Sequence, residues 1–408
     1  MTESRYKEFA VGKTVLLACT VGIALGASPV PFNMVGTFTL PITSEFGWGR
    51  GDMQLALFCF TLAVVATIPF IGALMDLVGV RQVAIGATAA YAGALALMAL
   101  APNNLFVFYA IWVLIGIVGA GSTPISWTRA INDWFPVNRG LALAIALMGT
   151  GLTAAFLPSL AAWLIAEFGW RKAVLAIAAM PVLIALPLAW HYLKSAPTHI
   201  GLAPHAQALA GGVTLGQAAR QWRFWAMMLS ILLVALGIGG LFINFQPMLI
   251  DKGFDPKAAA QVAGAIGISI IIGRLVTGWL IDRFWAPGIT LPLLALPAFA
   301  AWLLMQDHIT TTQALIAAAL VGAAAGAESD LLAFLAARYF GLKHYGRIYG
   351  VQYAAFGLAS GLAPFLAGKV FDHYGSYNPA LPWIAGFFVV GALLLLTMGR
   401  YPEKDELR

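Results

Sequence analysis

Residues Trp222–Leu249 read WRFWAMMLSILLVALGIGGLFINFQPML, and Arg223 is the only charged residue among them. As a helix rising 1.5 Å per residue, such a run is long enough to cross the ~30 Å hydrocarbon core of a bilayer. Similar runs recur along the whole chain of 408 residues, of which 61% are hydrophobic and 10% charged. Mean hydropathy is +0.86. A water-soluble domain needs roughly 25% charged residues to cover its surface, so this chain does not build one. The apolar stretches are continuous rather than alternating segments of about ten residues, which excludes a β-barrel.

Twelve membrane-spanning helices are expected, near 13–40, 51–77, 82–101, 104–133, 139–166, 171–193, 222–249, 257–282, 288–306, 311–338, 345–371 and 380–400. The 43 glycines and 21 prolines suit membrane helices. There, small residues allow close packing and freed backbone groups find partners on neighbouring helices. The start, MTESRYKEFAVGK, has the basic residues of a signal peptide. The apolar stretch after it is too long and holds Pro29 and Pro31, so it reads as a retained first helix. The longest polar interruption, SAPTHIGLAPHAQALAGGVTLGQAARQ at 195–221, reads as a linker between six-helix halves at 1–194 and 222–408.

Basic residues give an orientation. With both termini cytoplasmic, 16 Lys and Arg fall at inside ends, 6 at outside ends, and Arg274 lies within a span. This bias is the positive-inside rule, and it also accounts for the formal net charge of +6. A nucleic-acid partner is not expected, because no basic cluster with interleaved aromatics occurs.

The halves repeat each other at a constant shift of 206 residues. Pro41 pairs with Pro247, Gly47 with Gly253, Gly72 with Gly278, and Asp76 with Asp282. Gly151, Pro158 and Gly169 pair with Gly357, Pro364 and Gly375. A parallel two-half repeat is the architecture of transporters whose substrate binds between the halves.

Local segments add a family resemblance. Gly72-Ala-Leu-Met-Asp76-Leu-Val-Gly79-Val-Arg81 resembles the G-x-L-x-D-x-x-G-x-R signature of the major facilitator superfamily. The copy at Gly278-Trp-Leu-Ile-Asp282-Arg283 is shorter. Phe46-Gly-Trp48-Gly-Arg50, the stretch from Thr128-Arg129 through Asp133-Trp134-Phe135 to Arg139-Gly140, and Phe168-Gly-Trp170-Arg171 resemble the monocarboxylate-transporter-like branch, which includes oxalate/formate exchangers. The resemblance implies the all-α fold of that superfamily: twelve helices in two pseudo-symmetric six-helix bundles. It also implies carriage of a small organic anion, with the helix 8 arginine, here Arg274, holding its carboxylate. The lysines that some members carry in helices 1 and 11, and the helix 8 aspartate of proton-coupled members, are missing.

Three ionisable residues lie deep in expected spans: Arg274, Glu328 and Asp330. A charge there costs roughly 2.5–3.5 kcal/mol and demands a partner or a role. Counted from Arg283 and Arg338, all three sit about 12–15 Å from the cytoplasmic ends. Glu328 and Asp330 are two positions apart and point about 200° away from each other. One can meet Arg274, and one is expected to couple protons. Asn33, Asn244, Gln246, Ser126, Gln352 and Tyr353 are the other candidate substrate residues, with Ser122, Thr123, Trp127 and Thr150 weaker. Gly72, Asp76, Arg81, Arg129, Asp133 and Asp282 are candidate gate or latch residues.

No cofactor or metal is expected. The six histidines do not cluster, Cys19 and Cys59 lie in apolar runs, and no nucleotide loop, nucleophile elbow or zinc motif occurs. The expected protein is not an enzyme. It is a monomeric carrier in the bacterial inner membrane that moves a small organic anion, a monocarboxylate, by proton symport. Anion exchange and efflux of a hydrophobic compound are the alternatives.

Overall fold

A computed structural model describes residues 2–135, 138–194, 212–281, 283–341 and 344–402. The regular structure of these residues is helical, apart from one isolated bridge between Gly212 and Gly341. Eleven helices are long and apolar enough to cross a membrane. They are α1 (Glu8–Phe46), α2 (Arg50–Val78), α3 (Val80–Leu100), α4 (Leu105–Trp134), α5 (Gly140–Phe168), α6 (Trp170–Tyr192), α7 (Trp222–Asp251), α8 (Pro256–Ile281), α9 (Ala286–Met305), α10 (Thr311–Phe340) and α11 (Tyr345–Tyr374). A shorter apolar helix, α12 (Leu381–Leu396), completes the expected twelve. The expected linker falls mostly at 195–211, outside the described residues.

Inter-residue contacts divide the chain into two units: Met1–Trp48 with Asp52–Leu202, and Gly49–Gly51 with Ala203–Arg408. Large apolar side chains such as Phe70, Leu77, Trp279 and Trp383 are exposed. In a membrane they meet lipid tails rather than water.

Local chemistry sets the helix ends. Asn104 opens α4 by accepting the backbone N–H groups of Phe106 and Val107. Thr310 and Gln313 form a capping box at the start of α10. The 206-residue repeat is visible in the backbone. Gly47 and Gly253 both take positive φ, 72° and 90°, where a side chain would be strained. Gly169 and Gly375 do the same, at 78° and 68°. Pro41 and Pro247 lie inside helices, as do Pro158 and Pro364.

The first unit contains two broken helices that repair each other. Span α1 is broken into a first helix that ends at Ala24 and a second over Pro29–Phe46, and α4 is interrupted at Ala120–Ser122. The Ala27 N–H donates to Ser122 Oγ at 3.1 Å. Thr153 Oγ1 donates to the Ala24 carbonyl. Trp127 Nε1 donates to the Ser122 carbonyl at 3.1 Å. Backbone groups freed within a bilayer need partners of this kind.

In the second unit, α8 packs along α10 through glycines. A Cβ at Gly273 would lie 2.5 Å from the Ala323 carbonyl oxygen. One at Gly322 would lie 2.4 Å from Ile266 O, and one at Gly326 2.2 Å from Ile270 O. Gly322 and Gly326 form a small-x-x-x-small stripe, which lets two membrane helices bring their backbones into contact. Gly326→Ala must therefore push α10 off α8. We expect a loss of about 1–3 kcal/mol, read as a lower melting temperature of the detergent-solubilised protein. Gly278→Ala, where an added Cβ would meet nothing within 4 Å, should leave the melting temperature unchanged.

Candidate substrate and proton site

The glycine contact decides which acid meets the arginine. Gly322, Gly326 and Asp330 are spaced by four residues, so they share one face of α10. Arg274 follows Gly273 on the opposing surface of α8. With the backbones touching, Arg274 Nη1 lies 3.5 Å from Asp330 Oδ1. The distance is that of an ion pair rather than a short hydrogen bond. Arg274 is buried at 8% exposure, and the Asp330 side chain is 28% exposed. Glu328, turned about 200° from Asp330, is sealed in at 3% exposure. Its Oε1 has no hydrogen-bond partner among the described residues.

Span α11 adds aromatic rings. Tyr345, Tyr349, Tyr353 and Phe356 follow at helical spacing along one face, the three tyrosines stacked and Phe356 tilted against Tyr353. The centroid distances are 5.3, 5.6 and 5.4 Å, with interplanar angles of 15°, 27° and 36°. Tyr349 lies within electrostatic reach of both Arg274 and Asp330, and Tyr353 within reach of Arg274. Sequence reasoning picked out Tyr353 and missed Tyr345 and Tyr349. The signal was present in the spacing of YGRIYGVQYAAF from Tyr345 to Phe356.

The other expected substrate residues make contacts of their own. Gln352 is fully buried and donates to the Phe224 carbonyl at 3.0 Å, which turns it toward α7. Asn244 donates to Gly240 O and Asn33 to Pro29 O, each one turn back on its own helix. Gln246 is buried in the second unit and Ser126 in the first. Ser122, Thr123 and Trp127 hold the break in α4 together. Thr150 bonds Leu147 O within its own helix.

Of the expected latch residues, Asp76 pairs with Arg129 at 2.5 Å. Arg81 donates to the Trp190 carbonyl at 2.7 Å and sits 5.5 Å over that ring. Gly79, at φ 95°, makes the turn from α2 into α3. Gly72 has open space around it. Asp133 is exposed, and Asp282 lies outside the described residues. The two F-G-W segments meet in the first unit: Trp170 packs edge-on at 5.9 Å from Phe46, and Arg171 pairs with Glu45. Those motif residues clamp α1 to α6.

A model of the Major Facilitator Superfamily matches residues 16–327. The chain belongs to that superfamily. It is accordingly a membrane transporter rather than an enzyme. Monocarboxylate transporter 13 of Bos taurus is 23% identical over 71% of this chain and 68% of its own length. The uncharacterized MFS-type transporter YcxA of Bacillus subtilis (strain 168) is 28% identical over 69% of this chain and 68% of its own. Among solved structures, a bacterial homolog of the human lysosomal transporter Spinster superposes with a TM-score of 0.67. It shares 20% identity, with 95% of each chain covered, and this likeness concerns the fold.

The ion pair predicts a stability pattern. Breaking a fully buried pair costs about 3–5 kcal/mol, and a surface pair about 0–1. Asp330 is partly exposed, so Asp330→Ala should cost about 1–3 kcal/mol of thermal stability. Replacing both partners, Arg274→Met with Asp330→Leu, should recover most of it. Asp76→Ala removes an exposed pair and should change stability by less than about 1 kcal/mol. Melting curves of the four purified proteins test the pattern, and equal losses for Asp76→Ala and Asp330→Ala would contradict it.

Proposed function

We propose that this transporter moves a small organic anion, a monocarboxylate, together with a proton across the bacterial inner membrane, with both termini in the cytoplasm. The observation that carries the reading is the buried Arg274 guanidinium, held by Asp330 at 3.5 Å inside the membrane-spanning part of the second unit. A guanidinium is a planar fork that fits the two oxygens of a carboxylate. The relatives named as monocarboxylate transporters support the same substrate class.

Charge balance supplies the coupling. Arg274 and Asp330 together carry no net charge. A substrate carboxylate that took over Arg274 would leave Asp330 as an excess negative charge in a medium where isolated charge is costly. A proton on Asp330 removes that excess. Arg274 then holds the substrate, Asp330 is neutral, and the site again carries no net charge. Release of the anion returns Arg274 to Asp330, which gives up its proton. Glu328, on the opposite side of α10, is a second acid that can store the proton. Asp76 and Arg129 act as a latch at the α2–α3 turn.

Uptake of a radiolabelled monocarboxylate into proteoliposomes should fall as external pH rises and collapse when an uncoupler is added. Uptake indifferent to both would remove the proton from the mechanism, and counterflow from preloaded vesicles without a proton gradient would identify an exchanger. Arg274→Lys should reduce uptake at least tenfold with expression intact, because an ammonium cannot make the two-point contact. Normal uptake by that variant would take Arg274 out of the site.

A further inference from the structure

We infer that the anion this site accepts is an aryl carboxylate, whose ring lies against the tyrosine stack of α11 while Arg274 holds its carboxylate. The inference rests on the proposed carboxylate role of Arg274 and adds the nature of the rest of the molecule. Three observations carry it. Tyr345, Tyr349 and Tyr353 stack on one another along one helix face, with Phe356 tilted by 36° against Tyr353. Tyr349 and Tyr353 lie within electrostatic reach of Arg274. Tyr353 is 38% exposed, and the Asp330 side chain that faces Arg274 is 28% exposed.

The stacking geometry specifies what fits. The rings spend their faces on each other, so they offer a neighbour a row of ring edges. Ring edges carry the positive part of the aromatic quadrupole, and ring faces the negative part. A ligand with an aromatic ring can lay its face across those edges in the T-shaped arrangement. A saturated ring of similar size fills the same space and lacks the electronic match. A carboxylate one or two bonds from the ring would meet Arg274 while the ring stays on the stack. A small aliphatic acid satisfies Arg274 and leaves the stack uncovered.

The probes are benzoate and cyclohexanecarboxylate, compared by titration calorimetry on the purified full-length transporter and by competition against labelled benzoate uptake. We expect benzoate to bind about two- to tenfold more tightly, the range for one aromatic pair. Tyr353→Leu should erase that preference, and Tyr353→Phe should keep it, since the ring and not the hydroxyl is used. Equal affinity of the wild type for the two acids overturns the aryl assignment and leaves the carboxylate role of Arg274 standing. Loss of the preference in Tyr353→Phe would assign Tyr353 a hydrogen-bonding role and also overturn it. Failure of benzoate to bind the folded protein also overturns the aryl assignment, whereas binding of both acids that survives Arg274→Lys unchanged sinks the carboxylate reading itself. If Tyr353→Leu does not fold, the wild-type comparison alone decides.

Discussion

A guanidinium inside a membrane must keep a counter-charge beside it. Arg274 is buried in α8, and one carboxylate, that of Asp330, stands 3.5 Å from it. That pairing is possible because the two helices touch. Gly273, Gly322 and Gly326 leave no room for a Cβ, and the same four-residue spacing carries the contact on to Asp330. Packing and electrostatics are therefore one problem here. A larger residue at any of the three glycines would move the charges apart as well as the helices.

The helical architecture was legible from hydropathy, because a bilayer leaves few options. A span needs about twenty apolar residues and must satisfy its own backbone, so long apolar runs can hardly be anything else. The structure places every expected span, and the largest difference is α1, which extends to Glu8–Phe46 and is broken in the middle. The site was legible in its charges and much less so in its directions. Helical spacing told that Glu328 and Asp330 face different ways. Which one meets Arg274 depends on the glycine stripe, and extending Gly322 and Gly326 by four residues reaches Asp330 directly. Gln352 and Tyr353 are neighbours in sequence with different surroundings. Gln352 reaches the Phe224 carbonyl, and Tyr353 joins the stack. Polar residues read as cavity lining, such as Ser122 and Thr123, spend their hydrogen bonds on broken backbone, which composition does not reveal.

The repeat between halves explains why related positions hold different chemistry. Ser122 and Glu328 correspond at the shift of 206. In the first unit, α1 is interrupted and its freed Ala27 N–H takes the Ser122 hydroxyl. In the second, α7 runs unbroken from Trp222 to Asp251, so its backbone needs no such repair. The corresponding position is thereby released from a structural duty. A carboxylic acid occupies it instead, buried two residues before the partner of Arg274 and on the other side of the same helix.

The touching backbones of α8 and α10 also have a mechanical consequence. Helices locked at three glycines cannot shear past each other without breaking van der Waals contact along the seam, so Arg274 and Asp330 travel as passengers on one rigid lever. A rearrangement that keeps that seam intact carries the two backbones together, so only side-chain rotation can change the distance between the charges. That rotation is favoured when a proton arrives on one of them, or a competing anion at the other. The seam thus acts as a filter on motion, coupling the pair less to the sliding of its two helices than to the composition of the solution that reaches it.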